Sequence, residues 1–461
     1  MIDIFYYNYN YFAIKLIIFI FIISLIYKDT ISIGMNSLII NNYYLDIQKK
    51  INITFDGKIN NKINIGIYGY CIKNGGRARI TAFLVSYLHQ IKIFNIFLFT
   101  RIEKEDNEYK IPEDIKRFVI GNNLLKILEK YKIDILIYEL YNIKEIEILT
   151  TYEKIKVIFY LHSSIYDWIY ENYTNFKDIY TAYSKAKYSI SIVKIENDYL
   201  FLKWGISSIF MNNFVTYDYN EIIESNLSSR TIIMIGRGNA KKKRFHIGIL
   251  SMEYIIKEIK DCELIVISNL LGISHLIYLT YNLNLQDNIK FIGYSSKPEI
   301  YFKNASLNFF PSISESFGLV LSEANIHGIP SILLGLDYIS IANKGTVIVY
   351  DDSPESLSRE SIKLLHNNNI KYRKKLGKMA REDMKTFKNE IPLIKWIKLI
   401  LSIYNGEKYY YNLKKNKECM SEYDSLKIIN NQINLLKVRD KRFAKITNKY
   451  FENFTFLKNI K

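Results

Sequence analysis

Two doubly wound α/β domains in tandem are the fold class that this 461-residue sequence predicts. Three observations predict it. From Ile63 onward, short apolar, β-rich runs alternate with helical patterns, the rhythm of strands joined by crossover helices. That rhythm breaks at a polar stretch, residues 217–230, and restarts at Thr231. Several runs end in a loop bearing glycine, histidine, arginine or glutamate, and open sheets bind ligands at the C-terminal ends of their strands.

The first half opens with INIGIYGY (63–70), an apolar run that reads as a buried parallel strand, followed by the loop CIKNGGR (71–77). A helix comes next, because Ile80, Phe83, Leu84, Tyr87, Leu88 and Ile91 recur at helical spacing. The further strands are IFLFT (96–100), RFVIG (117–121), ILIYE (135–139), VIFYLH (157–162) and YSISIV (188–193), with helical stretches between several of them. The second half starts with TIIMIGR (231–237) and a helix over 245–259. Its later strands are ELIVIS (263–268), IKFIG (289–293), SLNFFPS (306–312), PSILL (330–334) and TVIVY (346–350). Beyond Ser353 the pattern is helical, and PLIKWIKLILSIY (392–404) has an apolar face broad enough to pack across both domains. The tail from Gly406, rich in Lys, Tyr and Asn, predicts one or two surface helices. The expected division is an N-terminal segment (1–30), a stem (31–60), two α/β domains (61–225 and 226–391), and a crossing helix with a basic tail (392–461).

The N-terminal segment differs in kind. YFAIKLIIFIFIISLIY (11–27) is broken only by Lys15 and Ser24, and its uninterrupted core is shorter than the ~20 residues that span a bilayer. With Tyr at both ends and Lys15 able to snorkel, it reads as a signal-anchor. The expectation is a single-pass N-terminal attachment to an endomembrane or the plasma membrane. A cytoplasmic, membrane-peripheral protein is the alternative. A cleaved signal peptide ranks second, since no small-x-small site follows, and a buried helix third.

A net charge of +17 arises from 63 Lys and Arg against 46 Asp and Glu. The cations are spread along the whole chain, and no helix-turn-helix, RRM, KH or zinc-finger signature is present. That distribution argues against nucleic acid as a partner and favours an anionic membrane surface and phosphorylated ligands. Cys71, Cys262 and Cys419 are odd in number and scattered, so they make neither a disulfide framework nor a zinc pattern. The sequons at Asn52, Asn172, Asn226, Asn304 and Asn453 carry little weight in so Asn-rich a chain.

Chemistry concentrates in ESFGLVLSEANIHGIPS (315–331). Ser316 is suited to cap a helix whose buried face is Leu319, Val320, Leu321 and Ala324, and Gly328 and Pro330 end it. Eight steps at helical rise separate Glu315 from Glu323 by roughly 12 Å, about the span from a sugar ring across a diphosphate to a ribose. Between them a helix N-terminus aims free amides at anything anionic. Glu315 would take sugar hydroxyls, the amides of Phe317, Gly318 and Leu319 the phosphates, and Glu323 the ribose diol. Alone, the stretch reads equally well as a surface helix with two solvated glutamates. Three loops add context. Asn74-Gly75-Gly76-Arg77 opens a helix, where glycines allow close backbone approach, although ordinary strand-to-helix turns use them too. His162 ends the strand 157–162, where a lone histidine is more often structural than catalytic. Arg237 ends the strand 231–237, and Lys241, Lys242, Lys243 and Arg244 follow, a cationic set suited to a diphosphate or simply a solvated charge run.

GRGNAKKKRF (236–245), IKFIGY (289–294) and SLNFFPSISESFGLVLSEANIHGIPSILL (306–334) resemble the retaining glycosyltransferases of the GT-B fold, in the large group often called family 4. The Gly75-Gly76 loop and His162 fit the family's N-terminal half more loosely. The resemblance runs from about Ile63 to Tyr404 and is specific in the second domain. It implies two Rossmann-like domains with the donor site in the cleft between them. It also implies that Glu323 binds ribose hydroxyls and Glu315 donor-sugar hydroxyls, aided by the Phe317-Gly318-Leu319 turn. Arg237 and Lys243, or Lys242 in its place, would neutralise the departing diphosphate, while Gly75 and Gly76 would lie against the phosphates. His162 would sit near the anomeric centre. The implied reaction moves a sugar, with retention, from a UDP- or GDP-linked donor to a hydroxyl of a glycan or lipid-linked acceptor. The family needs neither metal nor cofactor, and this chain has no Asp-x-Asp motif. The residue after the first glutamate is often glycine in the family; here it is Ser316, with a bearing on donor-sugar choice. Two alternatives stand beside this reading. One is a GT-B sugar epimerase or phosphorylase, although no pyridoxal-phosphate lysine can be placed. The other is a non-catalytic basic scaffold, which would have no need of Arg237, Lys243, Glu315 and Glu323 together.

Overall fold

The computed structural model describes residues 62–406, apart from 165–180, 201–205, 220–221, 239–240, 296–297, 337–338 and the single positions 74, 107, 182, 195, 198, 199, 207, 218, 343 and 352. The predicted membrane segment, the stem and the basic tail lie outside the described residues. The chain divides into two compact units, Met1–Lys62 with Gln90–Ile93, and Ile63–His89 with Phe94–Lys461. The fold that follows is that of the second unit.

Two parallel sheets form its frame. The first has seven strands: β1 (Ile63–Tyr68), β2 (Phe94–Thr100), β3 (Lys116–Val119), β4 (Ile135–Tyr138), β5 (Lys156–Leu161), β6 (Tyr188–Ser191) and β7 (Ile209–Phe210). Their spatial order is β3-β2-β1-β4-β5-β6-β7. The second sheet has six: β8 (Thr231–Ile235), β9 (Glu263–Ile267), β10 (Ile289–Ile292), β11 (Leu307–Phe310), β12 (Ser331–Leu334) and β13 (Thr346–Val349), in the order β10-β9-β8-β11-β12-β13. Every strand pair is parallel, and β1 and β8 are each flanked by the second and fourth strands of their own sheet. In each sheet the order therefore reverses beside the first strand, the switch point at which doubly wound sheets open a ligand crevice.

Burial on both faces explains the composition of these strands. Ile63, Ile65, Ile67, Ile135, Ile137, Ile232, Ile233 and Met234 are fully buried, as covered parallel strands require. The helices between them are α1 (Gly76–His89), α2 (Leu124–Lys130), α3 (Ile143–Thr151), α4 (Phe245–Glu258), α5 (Ser274–Asn282), α6 (Glu299–Phe302), α7 (Leu319–Ile326), α8 (Pro354–Leu365), α9 (Ile370–Met384) and α10 (Glu390–Asn405). One apolar core gathers around Tyr138, Phe159 and Tyr183, and another around Met234, Phe309 and Leu364. The short strand β7 is an addition that no pattern in the sequence announced.

The last helix returns to the first sheet. Trp396 of α10 is fully buried and meets the Tyr160 ring of β5 edge-on at 5.0 Å. Lys156, at the start of β5, donates through Nζ to the carbonyls of Ile403 and Tyr404 at 2.6 and 3.4 Å, capping the negative end of that helix. The segment joining the sheets is anchored by two buried arginines. Arg373 donates to the Leu227 and Leu364 carbonyls. Arg381 donates to the carbonyls of Ile326, Tyr219 and Ile222, and its Nε lies 2.9 Å from Glu224. Cys71 and Cys262 are free thiols, and Cys419 lies outside the described residues. Among the described residues, no helix is long and apolar enough to cross a membrane.

Candidate active site

The residues singled out by sequence come from loops at the C-terminal ends of both sheets. Gly75 and Gly76 follow β1, and His162 follows β5. Arg237, Lys242 and Lys243 follow β8, while Glu315 through Glu323 follow β11. The structure brings the two sets together at three contacts.

The first contact joins two helix starts. Gly75 has φ +105° and Gly318 φ +83°, so both turns need the left-handed region that glycine enters without strain. Gly76 begins α1 and Leu319 begins α7; a Cβ added to Gly76 would lie 2.9 Å from Leu319 Cδ1. Glycine at 76 thus lets the amide-rich starts of two helices approach, and both helix dipoles put positive potential there.

The second contact corrects the expected helix start. Ser316 does not cap α7, because Gly318 occupies the N-cap position and contributes no side-chain cap. The Ser316 hydroxyl instead accepts a hydrogen bond from the Ser164 backbone N–H at 2.9 Å. It ties the loop after β5 to the turn after β11. Residues 315–318 therefore precede the helix, and the helical-rise distance between Glu315 and Glu323 does not apply. The Glu315 carboxylate forms an ion pair with Lys243 Nζ, which also stands 5.8 Å from the Phe310 ring centroid. The Lys242 backbone carbonyl accepts from Ile313 N–H at 2.8 Å, pinning the basic turn to the loop that leads to Glu315. Arg237 is exposed at the tip of β8 and has no acidic partner among the described residues. Phe317 is buried, its ring set edge-on to Phe387 at 6.3 Å.

The third contact engages Glu323. Its Oε1 accepts from Arg79 Nη1 at 2.6 Å and from Thr216 Oγ1 at 2.8 Å, and the residue is 3% exposed. Burial pushes its carboxyl pKa up, while the Arg79 charge and the Thr216 hydrogen bond pull it back. Arg79 also lies over the Tyr217 ring, 5.5 Å from its centroid. The Tyr217 hydroxyl donates to Glu299 at 3.3 Å, and burial first, then the negative charge of Glu323, raises its pKa. On the other side of α7, His327 Nδ1 lies 2.8 Å from the Glu323 carbonyl, and burial lowers the histidine's pKa.

His162 sits on the first sheet, 7% exposed, with its backbone N–H and that of Ser163 donating to the Tyr141 hydroxyl at 3.0 and 2.9 Å. Arg79, Thr216 and Tyr217 are the site residues that sequence reasoning missed. Arg79 carried a legible signal, a cation in the first turn after the Gly-Gly loop. Thr216 and Tyr217 carried none, since they belong to the polar connection between the domains.

Comparison with known proteins bears on this geometry. Residues 218–383 match the family model of glycosyl transferases group 1. A sequence search of curated proteins finds no match. Among solved structures, the chain is similar to a glycosyltransferase from Rickettsia africae ESF-5 at 15% identity and TM-score 0.59, covering 75% of this chain and 100% of that one. It is similar to sucrose-phosphate synthase from Thermosynechococcus elongatus at 14% identity and TM-score 0.60, covering 74% and 99%. HepE of Anabaena, solved in complex with UDP and glucose, is similar at 13% identity and TM-score 0.60, again covering 74% and 99%. At such identities the likeness is one of fold, and that fold is GT-B, with two parallel sheets of Rossmann-like type. Residues 218–383 match the group 1 glycosyl transferase model, and the chain is an enzyme of the glycosyltransferase type.

Proposed function

We propose that this enzyme transfers a sugar from a nucleotide-sugar donor to a hydroxyl acceptor, with retention and without a metal ion. The observation that carries the reading is the approach of Gly76 to Leu319, which brings the starts of α1 and α7 close together. A diphosphate held there meets two sets of free amides. On the element that ends in α7, Glu315 would take the sugar hydroxyls and Glu323 the ribose, with Phe317, Gly318 and Leu319 supplying amides between them. Lys243 and Arg237, with Lys242 beside them, would stabilise the charge that develops on the leaving diphosphate, the part a divalent ion plays in other transferases. HepE of Anabaena, of like fold, is solved with UDP and glucose, which favours a uridine-linked donor over a guanosine-linked one.

In this reading Glu323 exchanges its Arg79 and Thr216 partners for the ribose diol when the donor binds. The sugar's anomeric carbon lies toward His162, and an acceptor hydroxyl attacks as the diphosphate departs. Positioning and electrostatics supply the rate. The acceptor is a glycan or a lipid-linked molecule, and the apolar segment 11–27 supports attachment to a membrane whose anionic surface the cationic chain favours. The test is nucleotide release by the purified full chain across a panel of UDP- and GDP-sugars, with and without excess EDTA. At least one donor should be turned over, and EDTA should leave the rate within about twofold. No release from any donor, or a rate abolished by EDTA and restored by manganese, would contradict the proposal.

A further inference from the structure

The first sheet buries a carboxylate that the site so far described does not use. Glu139 stands immediately after β4, at the switch point beside β1, and is fully buried. Its Oε2 accepts a hydrogen bond from Thr81 Oγ1 of α1 at 2.5 Å. Its Oε1 has no hydrogen bond among the described residues and lies 3.4 Å from Nε2 of His162. That ring nitrogen is itself buried and has no other partner among the described residues. The imidazole is 3.9 Å, centroid to centroid, from the Tyr160 ring, and the side chain is 4% exposed.

A buried carboxylate with one oxygen unserved is costly, as is a buried ring N–H with no acceptor. Both costs disappear together if His162 carries a proton on Nε2 and turns it slightly toward Oε1. Which nitrogen of a histidine is protonated is set by the hydrogen bond the other atoms of the site allow, so the carboxylate also decides what Nδ1 offers to a ligand. Thr81 holds the carboxylate from the opposite side, and Thr81 belongs to the helix that Gly76 begins.

We propose that Glu139 is a positioning residue for sugar transfer: it fixes the ring orientation and the Nε2–H tautomer of His162, leaving Nδ1 to face the donor sugar. The inference rests on the donor-site reading above. It differs from a structural ion pair in what it demands, since an ion pair kept for stability would not set turnover.

Two variants and two readouts test it on the full chain. Glu139→Met keeps the length of the side chain and removes the acceptor, whereas Glu139→Gln keeps an acceptor oxygen. With Glu139→Met, kcat should fall about 10–100-fold, the range seen when a carboxylate that orients a metal-bound histidine is lost, while donor KM stays within about twofold. Glu139→Gln should restore most of kcat. Nitrogen-15 NMR of histidine-labelled free protein, with His162 assigned by its loss in His162→Gln, should show the Nε2–H tautomer in the wild type and a mixture in Glu139→Met. Unchanged kcat in a folded Glu139→Met protein, or a Glu139→Gln protein impaired as badly as Glu139→Met, with the wild type active, overturns this inference alone. An Nδ1–H tautomer in the wild type overturns the contact itself. A wild type inactive toward every nucleotide-sugar instead overturns the transfer reading, and the role in turnover with it, while the tautomer still reports on the contact.

Discussion

Glu323 meets two opposing demands. In the proposed role its carboxylate would bind ribose as the anion, yet it is 3% exposed, and burial alone pushes its pKa up. Arg79 and Thr216 offset that effect by hydrogen-bonding the same oxygen. Removing Arg79 would leave a buried charge without its counter-ion. Arg79→Ala should therefore destabilise the protein by about 3 kcal/mol in urea unfolding at neutral pH. Adding Glu323→Gln to it should recover most of that loss, because the charge that needed a partner is gone. Strictly additive losses in the double variant would mean the two side chains do not act on each other. Glu315 has a different task. It is paired with Lys243 ahead of the helix, so Glu315→Ala should lower kcat at least tenfold while changing free-nucleotide affinity little. A comparable loss of nucleotide affinity would contradict that division.

At the scale of elements, α4 carries a pH dependence of its own. His246 lies in its first turn and is buried, and desolvation, the nearby Arg244 charge and His275 together hold its pKa well below the ordinary 6.5. With the folded pKa depressed, the unfolded chain takes up a proton below pH 6.5 that the folded chain refuses. Stability is therefore full above that pH and falls as pH drops below it, by up to about 1.4 kcal/mol per pH unit. His246→Gln should flatten this slope between pH 6.5 and 5; an unchanged slope would show that the ring is not the source. Elements were also where the sequence was most legible. The strands were readable because isoleucine-rich runs on covered sheets keep their pattern, and the restart at Thr231 marked the second sheet. The start of α7 was not readable. Ser316 has the chemistry of a cap, but its hydroxyl accepts from Ser164, 152 positions earlier. The Arg79–Glu323 pair is likewise invisible to local pattern, since 244 positions separate its members. Strand β7, of two residues, is too short for any period to register.

The molecule as a whole joins its two sheets through the loops after β1, β5 and β11, the connection bearing Thr216 and Tyr217, and the return of α10 to β5. The first strand among the described residues begins at Ile63. A chain lacking residues 1–35 should therefore fold with the thermal midpoint of the full protein and partition away from vesicles, whereas the full chain should need detergent for extraction. Full-length protein that stays in solution without detergent would contradict the proposed anchor. In the proposed function this frame holds a nucleotide-sugar with Glu323 on the ribose. Titration of UDP and of GDP into the purified protein tests it most directly. At least one should bind and raise the thermal midpoint, as a ligand specific to the folded state must. Glu323→Ala should weaken that binding at least tenfold, a change of about 1.4 kcal/mol. Binding of neither nucleotide, or equal affinity in the Glu323→Ala protein, would contradict the claim.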